Sequence, residues 1–225
     1  MPNICDKVVF NDPDCKIVFG FDPGHGGMID GEYQIIKPGT KQYKHDTFTF
    51  YEGVFNRQLK DETIEFIQDL DLNFIDLTDI YGDSQKDISL PIRVAKINEL
   101  SAALKKKGYL LIGESIHGNA GKGTGIEVFT SPGTTTSDTV ATVFCEEYEK
   151  EFPEERLRVD YSDGDPDKEA NYYILVRTSC PMILTENWFF DRKSDALKMR
   201  DFSFRKRIVR ARVNAMIRVA DKLNG

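Results

Sequence analysis

The chain is poor in the residues on which metal, redox and nucleic-acid chemistry usually draw. Of its 225 residues, three are histidine, four are cysteine and one is tryptophan. The cysteines, Cys5, Cys15, Cys145 and Cys180, show no CxxC spacing, which argues against a zinc ribbon or a thioredoxin-type pair. They read as reduced thiols, and nothing in the pattern supports a Cys5–Cys15 bridge. Positive charge is not in excess. Thirty Lys and Arg stand against 37 Asp and Glu, for a net charge of −7, so a nucleic-acid partner is not expected. No apolar run approaches the roughly 18 residues of a membrane span, so stable membrane insertion is not expected either. The first residues, Met1-Pro2-Asn3-Ile4-Cys5-Asp6-Lys7, lack the charged-then-apolar pattern of a signal peptide. The expectation is a protein synthesised in a cytoplasm. Repeats, low-complexity tracts and linkers are missing too, and the sequence does not speak to oligomeric state.

What is present is an alternation of strand and helix patterns. Residues 16–21 form a β-branched and aromatic run that ends in Asp22-Pro23-Gly24-His25-Gly26-Gly27, a strand followed by a loop. Residues 28–51 have no helical period and read as one long loop. Glu52 opens a helical pattern, with Val54, Leu59, Ile64 and Ile67 on its apolar face. A strand over 73–78 follows, then a helix from Pro91, placed at a first-turn position, to the lysines at 105–107 and Gly108. Strands are predicted over 109–116, 125–129, 172–176 and 182–185, and helices over 137–152, 194–200 and 203–223. The fold class is therefore α/β: a single domain with a mostly parallel twisted sheet of about six strands flanked by helices. Residues 1–15 read as an N-terminal arm or short edge strand, and 16–225 as the domain itself.

In such sheets, sites form at the carboxyl ends of strands. His25, His117 and Glu186 all follow predicted strands, and Glu52 begins a helix after a loop. Two neutral imidazoles and one carboxylate can hold a catalytic zinc ion while leaving a fourth position for water. His25, Glu52 and His117 supply that set, and Glu186 supplies a second carboxylate able to act as general base. Taken singly, each has a plainer reading. The histidines suit glycine-rich turns, Glu52 suits a helix dipole, and Glu186 suits a solvated strand end. Spacing alone does not decide between these readings.

The motifs around the four residues are more specific. Asp22-Pro23-Gly24-His25-Gly26-Gly27, Glu52-Gly53-Val54-Phe55-Asn56, Ser115-Ile116-His117-Gly118-Asn119-Ala120, Gly123-Thr124-Gly125-Ile126-Glu127-Val128 and Pro181-Met182-Ile183-Leu184-Thr185-Glu186 occur in this order. The set resembles the zinc-dependent N-acetylmuramoyl-L-alanine amidases, the catalytic domains of bacterial cell-wall amidases and phage endolysins. The resemblance covers residues 16 to 224. It implies Zn2+ held by His25, Glu52 and His117, Glu186 as the catalytic carboxylate, and peptidoglycan as substrate. The bond implied joins N-acetylmuramic acid to the L-alanine of the stem peptide. With no signal peptide, a phage lysin released onto the wall during lysis is the context expected. The rival readings are a zinc peptidase of the stem peptide and an inactive wall-binding module.

The remaining candidates are weaker. Asn56 and Asn119 would support the ligands or their loops through hydrogen bonds. Arg177 would meet a stem-peptide carboxylate or, more simply, a surface carboxylate. Trp188 would pack on a sugar or peptide, or close the core. His45 reads as a solvated loop residue. Asp160, Asp163, Asp165 and Asp167 lack EF-hand spacing and read as a solvated acidic turn. The arginines and lysines at 205, 206, 207, 210, 212 and 218 read as the solvated face of the last helix. Glu114 departs from the family pattern, standing where a strand interior expects an apolar residue.

Overall fold

Asn3 caps a single 3-10 turn, Ile4–Lys7, which buries Cys5. It is the first feature of the computed structural model, which describes residues 3–224; residues 1 and 2 of the expected arm and residue 225 lie outside the described part. From this turn the chain runs along the edge of the main sheet. Val9 exchanges backbone hydrogen bonds with Phe74 at 2.8 and 3.0 Å, and the Asn73 amide donates to the carbonyls of Asp12 and Cys15. All four cysteines are free and buried.

The β-branched run forms β1 (Ile17–Pro23), every residue of which is buried. Two small hairpins follow, β2 (Met28–Ile29) with β3 (Glu32–Tyr33), and β4 (Gln42–Lys44) with β5 (Thr49–Tyr51). The stretch 28–51 is therefore not one irregular loop. Its strands were too short to show a period. Helix α1 (Glu52–Ile67) leads to β6 (Asn73–Asp76) and the short α2 (Thr78–Tyr81). Helix α3 (Leu90–Lys106) carries Pro91 in its first turn and leads to β7 (Leu110–Asn119), β8 (Ile126–Thr130), α4 (Thr136–Glu151) and β9 (Lys168–Glu169). Next come α5 (Tyr173–Arg177), β10 (Met182–Phe189), α6 (Lys193–Arg200) and α7 (Phe202–Leu223).

The main sheet has six strands in the order β6-β1-β7-β10-β8-β9. All neighbouring pairs are parallel except β8 with β10. Strand alternation divides the core between the two faces. Ile17, Phe19, Phe21, Ile112, Ile116 and Ile183 join the cluster that includes residues of α1, α4 and α7. Val18, Leu111, Met182 and Leu184 join the cluster of α2, α3 and α5. Each such aliphatic or aromatic side chain contributes about 1.5–3 kcal/mol when fully buried. With both faces covered, the central strands can be apolar throughout.

The run 172–176, expected as a strand, is the short helix α5. Both edges of β10, the strand that follows, are already paired by β7 and β8, so the run cannot lie beside it. A five-residue apolar run does not by itself discriminate helix from strand. In the helix, Ile174 and Leu175 turn inward, while Tyr172, Tyr173, Val176 and Arg177 stay exposed.

The last helix is not solvated on all of its basic positions. Arg212 is fully buried and pairs with Glu114 at 2.8 Å. Glu114 also accepts from the Thr185 hydroxyl at 2.9 Å, and Arg212 donates to the Thr63 hydroxyl at 2.8 Å. Glu114 departs from an apolar strand pattern because it is the anchor of this ion pair. Arg205 is likewise buried, bidentate on Glu62. His45 is 7% exposed, with its Nε2 2.9 Å from the Phe190 carbonyl and its ring between Tyr43 and Phe48.

Candidate active site

The crossover through α1 takes the chain from β1 outward to β6, and α3 brings it back over β1 to β7. Strands β1 and β7 thus flank the switch point of the sheet, where a crevice opens at the carboxyl ends. His25 follows β1, His117 lies near the end of β7, and Glu52 is the first residue of α1. Their ligand-capable atoms lie within 4.8 Å of one another. His117 Nδ1 is 3.0 Å from Glu52 Oε1, and His25 Nε2 is 3.2 Å from the same oxygen. The two imidazoles meet edge to face with centroids 5.0 Å apart.

This convergence needs an unusual backbone. His25 has φ of 63°, a left-handed conformation uncommon outside glycine. It is held there by its own carbonyl, which accepts from Arg93 Nη2 at 3.1 Å, and by the Gly24 carbonyl, which accepts from the Asn56 amide at 3.1 Å. Gly24 has no substitute, because a Cβ there would stand 2.1 Å from the His117 ring.

Glu186 enters from β10. In the register it is the direct neighbour of His117 across the parallel pair, so both side chains project from the same face of the sheet. Burial pushes the Glu186 carboxyl up to about 7, with Glu52 adding to the shift and His117 opposing it. Burial also pushes Glu52 upward, but hydrogen bonds and charge from His117 and His25 outweigh it and hold the carboxyl well below the usual range. His25 is lowered by burial, despite its contact with Glu52. For His117, burial is overcome by the hydrogen bond and charge of Glu52, so its value is raised.

A second layer fixes His117. Its Nε2 lies 3.3 Å from the Ser115 hydroxyl, which donates to Asp22 Oδ2 at 2.8 Å. Asp22 accepts on its other oxygen from Tyr81 and Arg93, each at 2.9 Å. Burial works against ionising Asp22, but Arg93, Ser115 and Tyr81 hold its carboxyl low. Ser115 and His117 are two apart on β7, and Asp22 pairs with Ser115 in register, so the layer follows directly from strand periodicity. Asp22 and Ser115 belong to the sequence motifs, yet their role shows only when β1 and β7 are laid side by side. Arg93, on α3, carries no motif signal.

The crevice has a volume of about 430 Å³. It is lined by His25, His117 and Glu186 together with Lys41, Asp87, Tyr172 and Tyr173. Lys41 Nζ lies 3.6 Å from Glu52 Oε2. The Asn119 amide donates to Glu127, the neighbour of Glu186 across β8 and β10. Arg177 is exposed at the end of α5 and is not part of the crevice lining.

Trp188 corrects the expectation of a sugar- or peptide-stacking residue. It is 0% exposed, packed edge-on against Phe152 and Phe204 at 4.9 and 4.7 Å, and its indole N–H donates to Glu155 at 3.2 Å. The register of β10 shifts between Glu186 and Phe189, and Trp188 itself has φ of 58°. This bulge directs the indole into the core beside α4 and α7.

Three buried polar atoms of this group lack hydrogen-bond partners: His25 Nε2, Glu52 Oε2 and Glu186 Oε2. Orphaned polar atoms at such a convergence are costly unless a cation satisfies them. The fold and the site together define an α/β domain built around a two-histidine, one-carboxylate crevice with a further carboxylate beside it.

Comparison with known proteins refines this class. A family model described as N-acetylmuramoyl-L-alanine amidase matches residues 20–218. The chain is 31% identical over 200 residues to N-acetylmuramoyl-L-alanine amidase CwlM of Bacillus licheniformis, covering 88% of this chain and 66% of that protein. It is 35% identical over 104 residues to the sporulation-specific N-acetylmuramoyl-L-alanine amidase of Bacillus subtilis, covering 45% of this chain and 37% of that one. It therefore spans less than two thirds of the length of either relative. In fold it resembles the N-acetylmuramoyl-L-alanine amidase of Clostridium difficile 630, with a TM-score of 0.71 at 22% identity over 93% of this chain and 99% of that one. The chain belongs to the N-acetylmuramoyl-L-alanine amidase family.

Proposed function

We propose that the chain is a zinc-dependent peptidoglycan amidase that hydrolyses the bond between the lactyl group of N-acetylmuramic acid and L-alanine. The observation that carries this reading is the convergence of His25 Nε2, His117 Nδ1 and Glu52 on one point, with two of their buried atoms unpartnered. Ligand atoms about 2.0–2.1 Å from a tetrahedral zinc ion stand about 3.3 Å apart. The 3.0 and 3.2 Å separations found here are close to that value. Two nitrogens and one carboxylate are also the donor set of a catalytic rather than a structural zinc site.

Zinc held there would supply Lewis-acid polarisation of the scissile carbonyl. The chain's own residues supply the rest. Glu186, its pKa raised to about 7, is suited to accept the proton of the attacking water and to return it to the leaving amine nitrogen of L-alanine. The Asp22–Ser115 chain holds His117 Nε2 as the protonated nitrogen, leaving Nδ1 free to act as a ligand. Arg93 and Asn56 hold the His25 loop in its left-handed turn. Tyr172 and Tyr173 offer aromatic surface to the substrate along the crevice wall.

Product analysis on purified peptidoglycan tests the reading. New L-alanine amino termini with glycan strands intact are expected from the zinc-loaded protein. New amino termini from residues further along the stem would identify a peptidase instead, and no product would refute hydrolysis of this substrate. In the lysin context, the protein added from outside would also clear suspensions of intact cells. Digestion of isolated wall without clearing would refute that context and leave the bond assignment standing.

A further inference from the structure

The acidic stretch expected as a solvated turn is exposed at Asp160 and Asp163, half-buried at Asp165 and buried at Asp167. Asp167 is 2% exposed. Its Oδ2 accepts from the Thr130 hydroxyl at 2.6 Å, at the end of β8. Asp138, in the first turn of α4, is 8% exposed and uses Oδ2 to accept from the Thr135 backbone N–H in a capping box. Asp165 completes the group, and ligand-capable oxygens of the three carboxylates lie within 4.8 Å of one another.

Three carboxylates at this distance repel one another in low dielectric. The cations closest in the sequence go elsewhere: Lys168 and Arg158 both pair with Glu127, at 2.6 and 2.8 Å. Asp165 Oδ1 and Asp167 Oδ1 are buried without a hydrogen-bond partner. A polar atom left this way costs stability unless something satisfies it.

We propose that Asp138, Asp165 and Asp167 bind a calcium ion that ties the 152–167 connection to the start of α4 and the end of β8. The donor set is entirely oxygen, which favours a hard cation over zinc. Calcium bonds of about 2.3–2.6 Å allow ligand oxygens up to about 5 Å apart, and this covers the observed spread. Magnesium needs shorter, strictly octahedral bonds and fits less well. The Thr130 partner of the site lies three residues along β8 from Glu127, the strand neighbour of Glu186. Phe129 pairs with Leu184 and Glu127 with Glu186, so the Thr130 end of β8 runs toward the start of β10, away from the catalytic carboxylate. No sequence spacing announces the site, because Asp138 comes from a helix start 27 positions before Asp165.

The test uses zinc-loaded protein in calcium-free buffer at pH 8. Bound calcium is measured by equilibrium dialysis and Tm is followed as CaCl2 rises to about 10 mM, above the range of weak three-carboxylate sites. One calcium per chain and a rise in Tm are expected, with magnesium giving a smaller rise. Asp165→Asn, which removes a charge at the least buried ligand, is expected to lose both the bound calcium and the calcium-dependent rise, while being more stable than the wild type without calcium. Asp138→Asn, which keeps a capping side chain, is expected to lose calcium too. No bound calcium and an unchanged Tm would overturn the proposal and leave a carboxyl pair sharing a proton. Calcium binding that survives in both variants would overturn it as well, by placing the ion elsewhere.

Discussion

Glu186 is the residue on which turnover depends most in the proposed mechanism. Glu186→Gln keeps the shape and removes the base, so kcat should fall by about 10²–10⁴-fold with zinc content and Tm unchanged. Metal analysis, a thermal melt and an assay of released L-alanine amino termini check this together. The base acts as the carboxylate, so activity should rise with pH through its titration. The pKa of about 7 belongs to the metal-free crevice, and a bound cation favours the ionised form. The rising limb of the wild-type pH profile should therefore lie at or below pH 7. Trp188 is expected to behave in the opposite way. Trp188→Ala removes a fully enclosed indole and should cost about 3–5 kcal/mol of stability, read in urea denaturation. KM for peptidoglycan should stay unchanged in the surviving folded fraction, whereas a residue that stacks on the substrate would raise it.

At the scale of elements, the buried Glu114–Arg212 pair joins the middle of β7 to α7 through the core. Glu114→Ala would leave a buried guanidinium without its anion, and a loss of about 3–5 kcal/mol is expected. Replacing both partners with apolar residues of similar volume should be far milder, and chemical denaturation of the single and double variants separates the two cases. The strands that carry the site, β1, β7 and β10, could be read from the sequence because each is an apolar run closed by Gly, Pro or a polar turn. The helices that flank them could be read from their apolar period. What the sequence hid depends on which segment lies beside which. The run 172–176 has strand residues, but both edges of β10, the strand it precedes, are taken by β7 and β8. Trp188 sits after a bulge that one residue of register creates. His45 and Arg212 find their partners 145 and 98 positions away in the chain. The four main site residues could be named from motifs, whereas Arg93 and the Asp22–Ser115 layer needed β1, β7 and α3 in place.

For the molecule as a whole, the crevice concentrates uncompensated polar groups that a bound ion would satisfy. Removing zinc should therefore lower Tm without abolishing the fold. At ligand concentrations about 100 times Kd, binding adds roughly 2.7 kcal/mol. For a chain of this size that corresponds to a shift of about 5 °C or more. Circular dichroism melts with a chelator, then with zinc or magnesium restored, check this: zinc should recover the lost stability and magnesium should not.

The strand order has a consequence for how the protein is made. The interior strand β1 must wait for β6 and then for β7, whose partners in register lie 55 and 93 positions further along the chain. Such separations make for slow assembly, because each pairing closes a long loop before any contact rewards it. During synthesis at about 5–20 residues per second, the ribosome would release His25, Glu52 and His117 first and reach Glu186 roughly 3–14 s later. A nascent chain can thus gather the three proposed metal ligands well before it has the proposed base. In the proposed mechanism it becomes competent to cut only when β10, the last strand, slides in beside β7.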